Sequence, residues 1–188
     1  MNNNNHITHA MVLAAGMGLR MRPLSETTPK PMLKAGGKPM IDWALDSLDR
    51  AGIKVCVVNT HWLGEQIESH LKGRSNPAIS FVNEYPILET GGGILNALDK
   101  GLLGNGAFYA INADQIWIDR ETPALEHMAN FWDEEKMDAL LLLQPLANAF
   151  GYDGAGDFNL NPDGTIERRH DGANGELVFT GVQILNPK

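Results

Sequence analysis

Short apolar runs alternate with amphipathic stretches along most of this chain. Residues Met11–Ala15 (MVLAA) are continuously apolar, which predicts a strand buried on both faces. Pro39 then opens a helical pattern whose apolar positions are Ile41, Ala44, Leu45 and Leu48, and Gly52 closes it. Lys54–Asn59 (KVCVVN) is short and β-branched, a second parallel strand. Leu63, Ile67 and Leu71 recur at spacing four and predict the next helix, stopped by Gly73. Strands are expected at Ile79–Val82, Phe108–Ile111 and Ala139–Gln144, with helices over Gly93–Leu102 and Pro123–Glu135. Beyond Gln144 the chain turns to glycine, asparagine and aspartate. There Asn161-Pro-Asp-Gly164 separates Phe158–Leu160 from Thr165–Arg168 and predicts a hairpin, and Leu177–Leu185 predicts a last strand. The order βαβαβαβαβ implies a single doubly wound, mostly parallel α/β sheet with helices on both faces and a small hairpin near the C-terminus. Ligands of such sheets sit beyond the carboxyl ends of the strands.

The first strand runs into Gly16-Met17-Gly18, followed by Arg20, Arg22 and the triplet Pro29-Lys30-Pro31. A strand that ends in a glycine turn exposes backbone N–H groups, and such a nest suits phosphate oxygens. Guanidinium groups beside it bind several anionic oxygens together. The spacing excludes a P-loop, which needs Gly-x-x-x-x-Gly-Lys-Ser/Thr, and Met21 stands where a dinucleotide fingerprint needs a small residue. The reading is a triphosphate grip; a tight turn with merely solvated arginines is the alternative.

Charge sharpens that picture. The 188 residues carry a net charge of −8, which argues against nucleic-acid or membrane-surface binding. Yet the stretch from 17 to 38 holds Arg20, Arg22, Lys30, Lys34 and Lys38 against the lone acid Glu26, a local field that would steer an anion. The one cysteine, Cys56, lies in an apolar run and reads as a small buried hydrophobe in a reducing compartment. No stretch is long and apolar enough to span a membrane, and MNNNNHITH lacks the basic start of a signal peptide, so a cytoplasmic location is expected. Oligomeric state is not legible.

Two further motifs carry chemistry. Glu89-Thr90-Gly91-Gly92-Gly93 stands before a helix start, where missing side chains let a base or sugar approach the backbone; a flexible first helical turn is the alternative. Asn112-Ala113-Asp114 ends the fourth strand, and a carboxylate there faces the glycine turn across the switch point. Mg²⁺ is usually held by one or two carboxylates with phosphates and waters, so Asp114 is the metal candidate and Asp119 the second choice. An aspartate after a strand is also an ordinary turn residue. His61-Trp62 is read as a packing and capping corner without chemistry.

Gly16-x-Gly18-x-Arg20-x-x-Pro23-Leu24-Ser25 with Pro29-Lys30-Pro31-Met32 resembles the signature of the sugar-1-phosphate nucleotidyltransferases. Leu19 and Ser25 stand where that pattern usually has Thr, which removes one hydroxyl and keeps the other. Leu88-Glu-Thr-Gly-Gly-Gly-Ile94 is most similar to the branch that transfers uridylyl groups to N-acetylmuramate 1-phosphate. The resemblance implies a Rossmann-like nucleotidyltransferase fold over residues 1–188, with a poorly ordered leader at 1–9. It implies a nucleoside triphosphate, UTP favoured, and a sugar 1-phosphate, N-acetylmuramate 1-phosphate favoured, joined with Mg²⁺ by in-line attack on the α-phosphorus. The alternatives are a guanylyltransferase acting on mannose 1-phosphate and a non-catalytic nucleotide-binding module. It further implies that Arg20 and Lys30 are catalytic. Leu13, Ala14, Ala15, Gly16, Gly18, Glu84, Thr90 and Gly91 would bind the nucleotide, Asp157, Thr180 and Gly181 the sugar, and Asp114 the metal. The family's second metal-binding aspartate has no counterpart before Lys188, and the C-terminal end of the family's domain is expected to be missing from this sequence.

Overall fold

The computed structural model describes residues 7–119 and 121–188. In chain order the elements are β1 (His9–Leu13), β2 (Lys34–Ala35), β3 (Lys38–Pro39), α1 (Met40–Arg50), β4 (Val55–Thr60), α2 (Gly64–Leu71), β5 (Ala78–Asn83), α3 (Glu89–Asp99), β6 (Phe108–Asn112), α4 (Ala124–Phe131), β7 (Ala139–Pro145), β8 (Phe158–Leu160), β9 (Ile166–Arg168) and β10 (Leu177–Leu185). The chain divides into two units, with Leu141–Val182 forming the second.

The first unit is the expected parallel sheet. β1 pairs with β4 on one side and β6 on the other, and β4 pairs with β5, all parallel. Register places Met11 beside Val57 and Ala110, so alternate residues share a face. On that face Met11, Val57, Val82, Phe108 and Ala110 pack against Ile94 and Ala97 of α3. On the opposite face Tyr109 donates from its hydroxyl to the carbonyl of Leu125 in α4 (2.6 Å). Helices therefore cover both faces. In α1 the apolar stripe Ile41, Ala44, Leu45 and Leu48 is fully buried, and full burial of each larger aliphatic chain contributes about 1.5–3 kcal/mol. Gly52, at φ +79°, turns the chain out of that helix.

Several boundaries differ from the sequence reading, most clearly those of β1, the leader, α3 and α4. β1 begins at His9 and ends at Leu13, because the Ala14 N–H leaves the strand ladder to bond the Asn59 side chain. Of the leader expected at 1–9, residues 1–6 lie outside the described residues. Residues 7–9 are built into the fold: Ile7 is buried, the Thr8 carbonyl accepts from Lys54 and Val55, and His9 opens the strand. α3 starts at Glu89 rather than Gly93, so the glycine run is its first turn. α4 ends at Phe131 because Trp132 is extended.

In the second unit β8 and β9 form the expected antiparallel hairpin, Phe158 facing Arg168, and Leu177 of β10 pairs antiparallel with Phe158. β7 also pairs with β10.

Candidate active site

The carboxyl ends of β1, β4 and β6 open into a cleft of about 530 Å³ that belongs wholly to the first unit. Leu13, Ala14, Ala15, Gly16 and Gly18 form one wall, with Arg20, Lys30 and Pro31 beside them. Glu89 and Thr90, at the start of α3, form another, and Asn112, Ala113 and Asp114 close the end of β6. Ten of the residues singled out in the sequence thus meet in one place: Leu13, Ala14, Ala15, Gly16, Gly18, Arg20, Lys30, Glu84, Thr90 and Asp114. Gly91 lies one residue beyond the lining and is exposed.

The glycine turn is shaped by packing as much as by conformation. Gly18 sits at φ +62°, and a Cβ there would stand 3.0 Å from Cβ of Lys30. The buried Ser25 hydroxyl donates to the Gly18 carbonyl (2.7 Å) and closes the loop on itself. Trp62 Nε1 donates to the Ser25 carbonyl (3.2 Å) and Gln66 Nε2 to that of Thr27 (3.0 Å), so Trp62 and α2 clamp the loop. Gly16 is open, with nothing within 4 Å of a Cβ.

Lys30 and Asp114 form an ion pair in the cleft, each about a quarter exposed. The other cations of the basic stretch divide. Lys38 bonds Asp46 (2.5 Å) and lies over the Trp43 ring at 4.0 Å, whereas Arg20, Arg22 and Lys34 stay exposed. The anion-steering surface is therefore smaller than the sequence count implies. Burial raises the Asp46 carboxyl, but the hydrogen bonds and charges of Lys38 and Arg74 outweigh it and hold the group below its ordinary value.

Among the described residues no three His, Cys, Asp or Glu side chains cluster as a metal cage. A cation that takes one carboxylate and completes its shell with phosphate and water fits what the cleft offers at Asp114. Asp119 lies outside the cleft lining, and its Oδ1 accepts from Trp117 Nε1 (3.0 Å) and from the Ala124 N–H (2.9 Å) at the start of α4.

Glu84 is 1% exposed and its carboxylate is bonded on both oxygens, to Asn59 Nδ2 (2.7 Å) and to the Leu88 N–H (2.9 Å). Sequence reasoning misses Asn59, whose one local signal is a polar residue closing the apolar run KVCVV. In the second unit, Asp157 Oδ2 accepts from the Phe179 N–H (2.8 Å), and the Thr180 hydroxyl donates to the Leu142 carbonyl (2.8 Å). Gly181, at φ +75°, adopts a backbone only glycine takes easily.

Comparison with known proteins agrees with this architecture. A family model described as "MobA-like NTP transferase domain" matches residues 10–145. N-acetylmuramate alpha-1-phosphate uridylyltransferase of Caulobacter vibrioides is 40% identical over 184 residues, covering 95% of this chain and 75% of that protein. The enzyme of the same name from Neisseria meningitidis serogroup B is 40% identical over 182 residues, with the same shares covered. Among solved structures, apo-UDP-glucose pyrophosphorylase matches with a TM-score of 0.76 at 22% identity, over 96% of this chain and 77% of that one, a likeness of fold. No helix among the described residues is long and apolar enough to cross a membrane.

Proposed function

The chain belongs to the MobA-like NTP transferase domain family, and on that premise we propose that it transfers UMP from UTP to N-acetylmuramate α-1-phosphate, releasing pyrophosphate. It is a sugar-1-phosphate nucleotidyltransferase, and the choice of UTP and of the muramate sugar rests on the two bacterial enzymes it resembles over nearly its whole length. The observation that carries the chemistry is the meeting of Lys30 and Asp114 in the cleft bounded by the Gly16–Gly18 turn.

In this reading an oxygen of the sugar phosphate attacks the α-phosphorus in line, and the bond from that phosphorus to the bridging β-oxygen breaks. The protein's task is positioning and charge stabilisation. N–H groups of the Gly16–Gly18 turn cradle the phosphates, and Arg20 stabilises the leaving pyrophosphate. Lys30 leaves Asp114 to neutralise the α-phosphate as charge develops there. Asp114 would hold Mg²⁺, which when bound would neutralise the phosphate oxygens. Leu13, Ala14, Ala15, Thr90 and Gly91 pack against the nucleoside. The reducing cytoplasm suits a chain whose single cysteine can form no internal disulfide.

Pyrophosphate release tests this directly. With Mg²⁺, UTP or GTP is offered against N-acetylmuramate 1-phosphate, glucose 1-phosphate and mannose 1-phosphate. Release is expected with UTP and the muramate sugar. Release confined to GTP and mannose 1-phosphate would make the chain a guanylyltransferase. Nucleotide binding without release from any pair would make it a binding module.

A further inference from the structure

In the floor of the cleft lies a polar relay that no step of the proposed reaction uses. The Ala14 N–H, one residue past the end of β1, donates to Asn59 Oδ1 (2.7 Å). Asn59 Nδ2 donates to Glu84 Oε1 (2.7 Å), and Glu84 Oε2 accepts from the Leu88 N–H (2.9 Å), one residue before α3. Asn59 is 3% exposed and Glu84 1%. The amide orientation of Asn59 is dictated by its neighbours: turned over, it would set an N–H against the Ala14 N–H and an oxygen against the carboxylate.

The main chain of Glu84 is held as well. Its N–H donates to the Thr60 carbonyl (2.9 Å), and His61 Nδ1 donates to its carbonyl (2.8 Å). Gly93 completes the arrangement, since a Cβ there would stand 2.4 Å from Glu84 Oε1 and 3.0 Å from Asn59 Nδ2. The first turn of α3 is thus drawn down onto the carboxylate, and the relay spans from one wall of the cleft to the other.

We propose that Asn59 and Glu84 are positioning residues that set the distance between the phosphate-binding turn and the start of α3, so that both walls are preformed for nucleotide. Both sit nearly buried in the lining of the cleft, the Glu84 carboxylate is already bonded on both oxygens, and their work is done through the Ala14 and Leu88 amides. The bonds, rather than the place of the negative charge, carry the effect. An unmade bond here leaves a buried donor or carboxylate oxygen unpaired, which is costlier than the bond's own net contribution. This inference rests on the nucleotide-transfer reading above.

The test is a swap. Glu84→Gln alone brings two amide donors together, either at Asn59 or at Leu88, and Asn59→Asp alone sets two carboxylates side by side. In the double variant, Asn59→Asp with Glu84→Gln, every bond returns. The new carboxylate at position 59 accepts from the Ala14 N–H on one oxygen and from the new amide at position 84 on the other. The carbonyl oxygen of that amide accepts from the Leu88 N–H. Each single variant is expected to raise the KM for UTP about tenfold or more with kcat at saturation within about threefold, because ground-state preorganisation is what is lost. The double variant is expected to return KM to within about threefold of the parent, the signature of a coupled pair.

Single variants that melt lower yet keep the parent KM would overturn the proposal, and so would a folded double variant that keeps a raised KM. Should the single variants fail to fold, a double variant that folds with the parent KM supports the proposal. Hydrogen exchange of the unmodified protein, without nucleotide, gives an independent reading. The Ala14 amide is expected to be protected at least about 100-fold; exchange at the rate of an unstructured amide would overturn the relay. A parent protein that protects Ala14 but binds no UTP, GTP or CTP would overturn the assigned reaction instead.

Discussion

Lys30 and Asp114, separated by 84 positions in the chain, meet as an ion pair in the cleft at the carboxyl end of β6. Each holds a charge that a bound nucleotide would claim, the ammonium for phosphate and the carboxylate for the metal. On the proposed reaction, substrate would exchange this pair for its own contacts. Lys30→Ala, Arg20→Ala and Asp114→Asn are each expected to lower kcat by roughly 100-fold or more, the scale of removing one electrostatic stabiliser. Pyrophosphate release at saturating UTP is the readout, and near-parent turnover in any of the three would remove that residue from the mechanism.

The two glycines of the phosphate turn separate shape from access. Gly18→Ala forces a Cβ into a left-handed backbone and against Lys30 and Ser25 (3.0 and 3.2 Å), and is expected to cost about 1–2 kcal/mol of stability. Gly16→Ala meets nothing within 4 Å, so its stability is expected to stay within about 0.5 kcal/mol while UTP binding weakens. Urea unfolding beside UTP titration distinguishes them.

A similar contrast exists within α3. Gly93→Ala drives a methyl to 2.4 Å from a buried carboxylate oxygen and is expected to destabilise by about 1–3 kcal/mol. Gly91→Ala finds open space on an exposed first turn and is expected to stabilise by about 0.5 kcal/mol through reduced backbone freedom. Thermal melts of the two variants should move in opposite directions.

Asp46 ties α1 to Lys38 (2.5 Å) and to Arg74 beyond α2 (2.8 Å). Its carboxyl is held below the ordinary value in the folded chain, so its stabilising contribution is complete above the unfolded value and is lost as pH falls through the folded one. Asp46→Asn is expected to melt lower than the parent at pH 7, and the gap should shrink as pH falls below the ordinary aspartate value of about 4.

Burial pushes the Cys56 thiol up to about 12, within the apolar core of β4. The thiolate is the reactive form, so Cys56 is expected to resist an aromatic disulfide reagent at pH 8 in the folded protein and to react fully in urea. Ready labelling without denaturant would show that the sheet opens around it.

The α/β order, the glycine turn and the ends of most elements were legible in the sequence because each rests on local periodicity. Ile41, Ala44, Leu45 and Leu48 announce a helix face wherever they stand, and Gly52 ends it by its own conformational freedom. That Arg20, Lys30 and Asp114 share one cleft was legible, since a glycine turn and a carboxylate that follow strands of one parallel sheet meet at its carboxyl edge.

Pairings across sequence distance were not legible, for they depend on which side chains the closed sheet brings together. Lys38 looks like a steering charge until α1 presents Asp46 and Trp43 to it. Asp119 looks like a residue of the cleft until the fold sets it outside the lining, with the Ala124 and Trp117 N–H groups on its Oδ1. The glycine run at 91–93 reads as the approach to a helix, but it lies inside α3, and Glu84 lies where only a glycine at 93 lets that helix pack. Local sterics and hydrophobic period, both written in the chain, suffice to set the elements and the chemical types at their ends. Which charges face the cleft and which are neutralised beneath it follows from packing alone, because a buried polar group takes whatever partner the fold brings within hydrogen-bond reach.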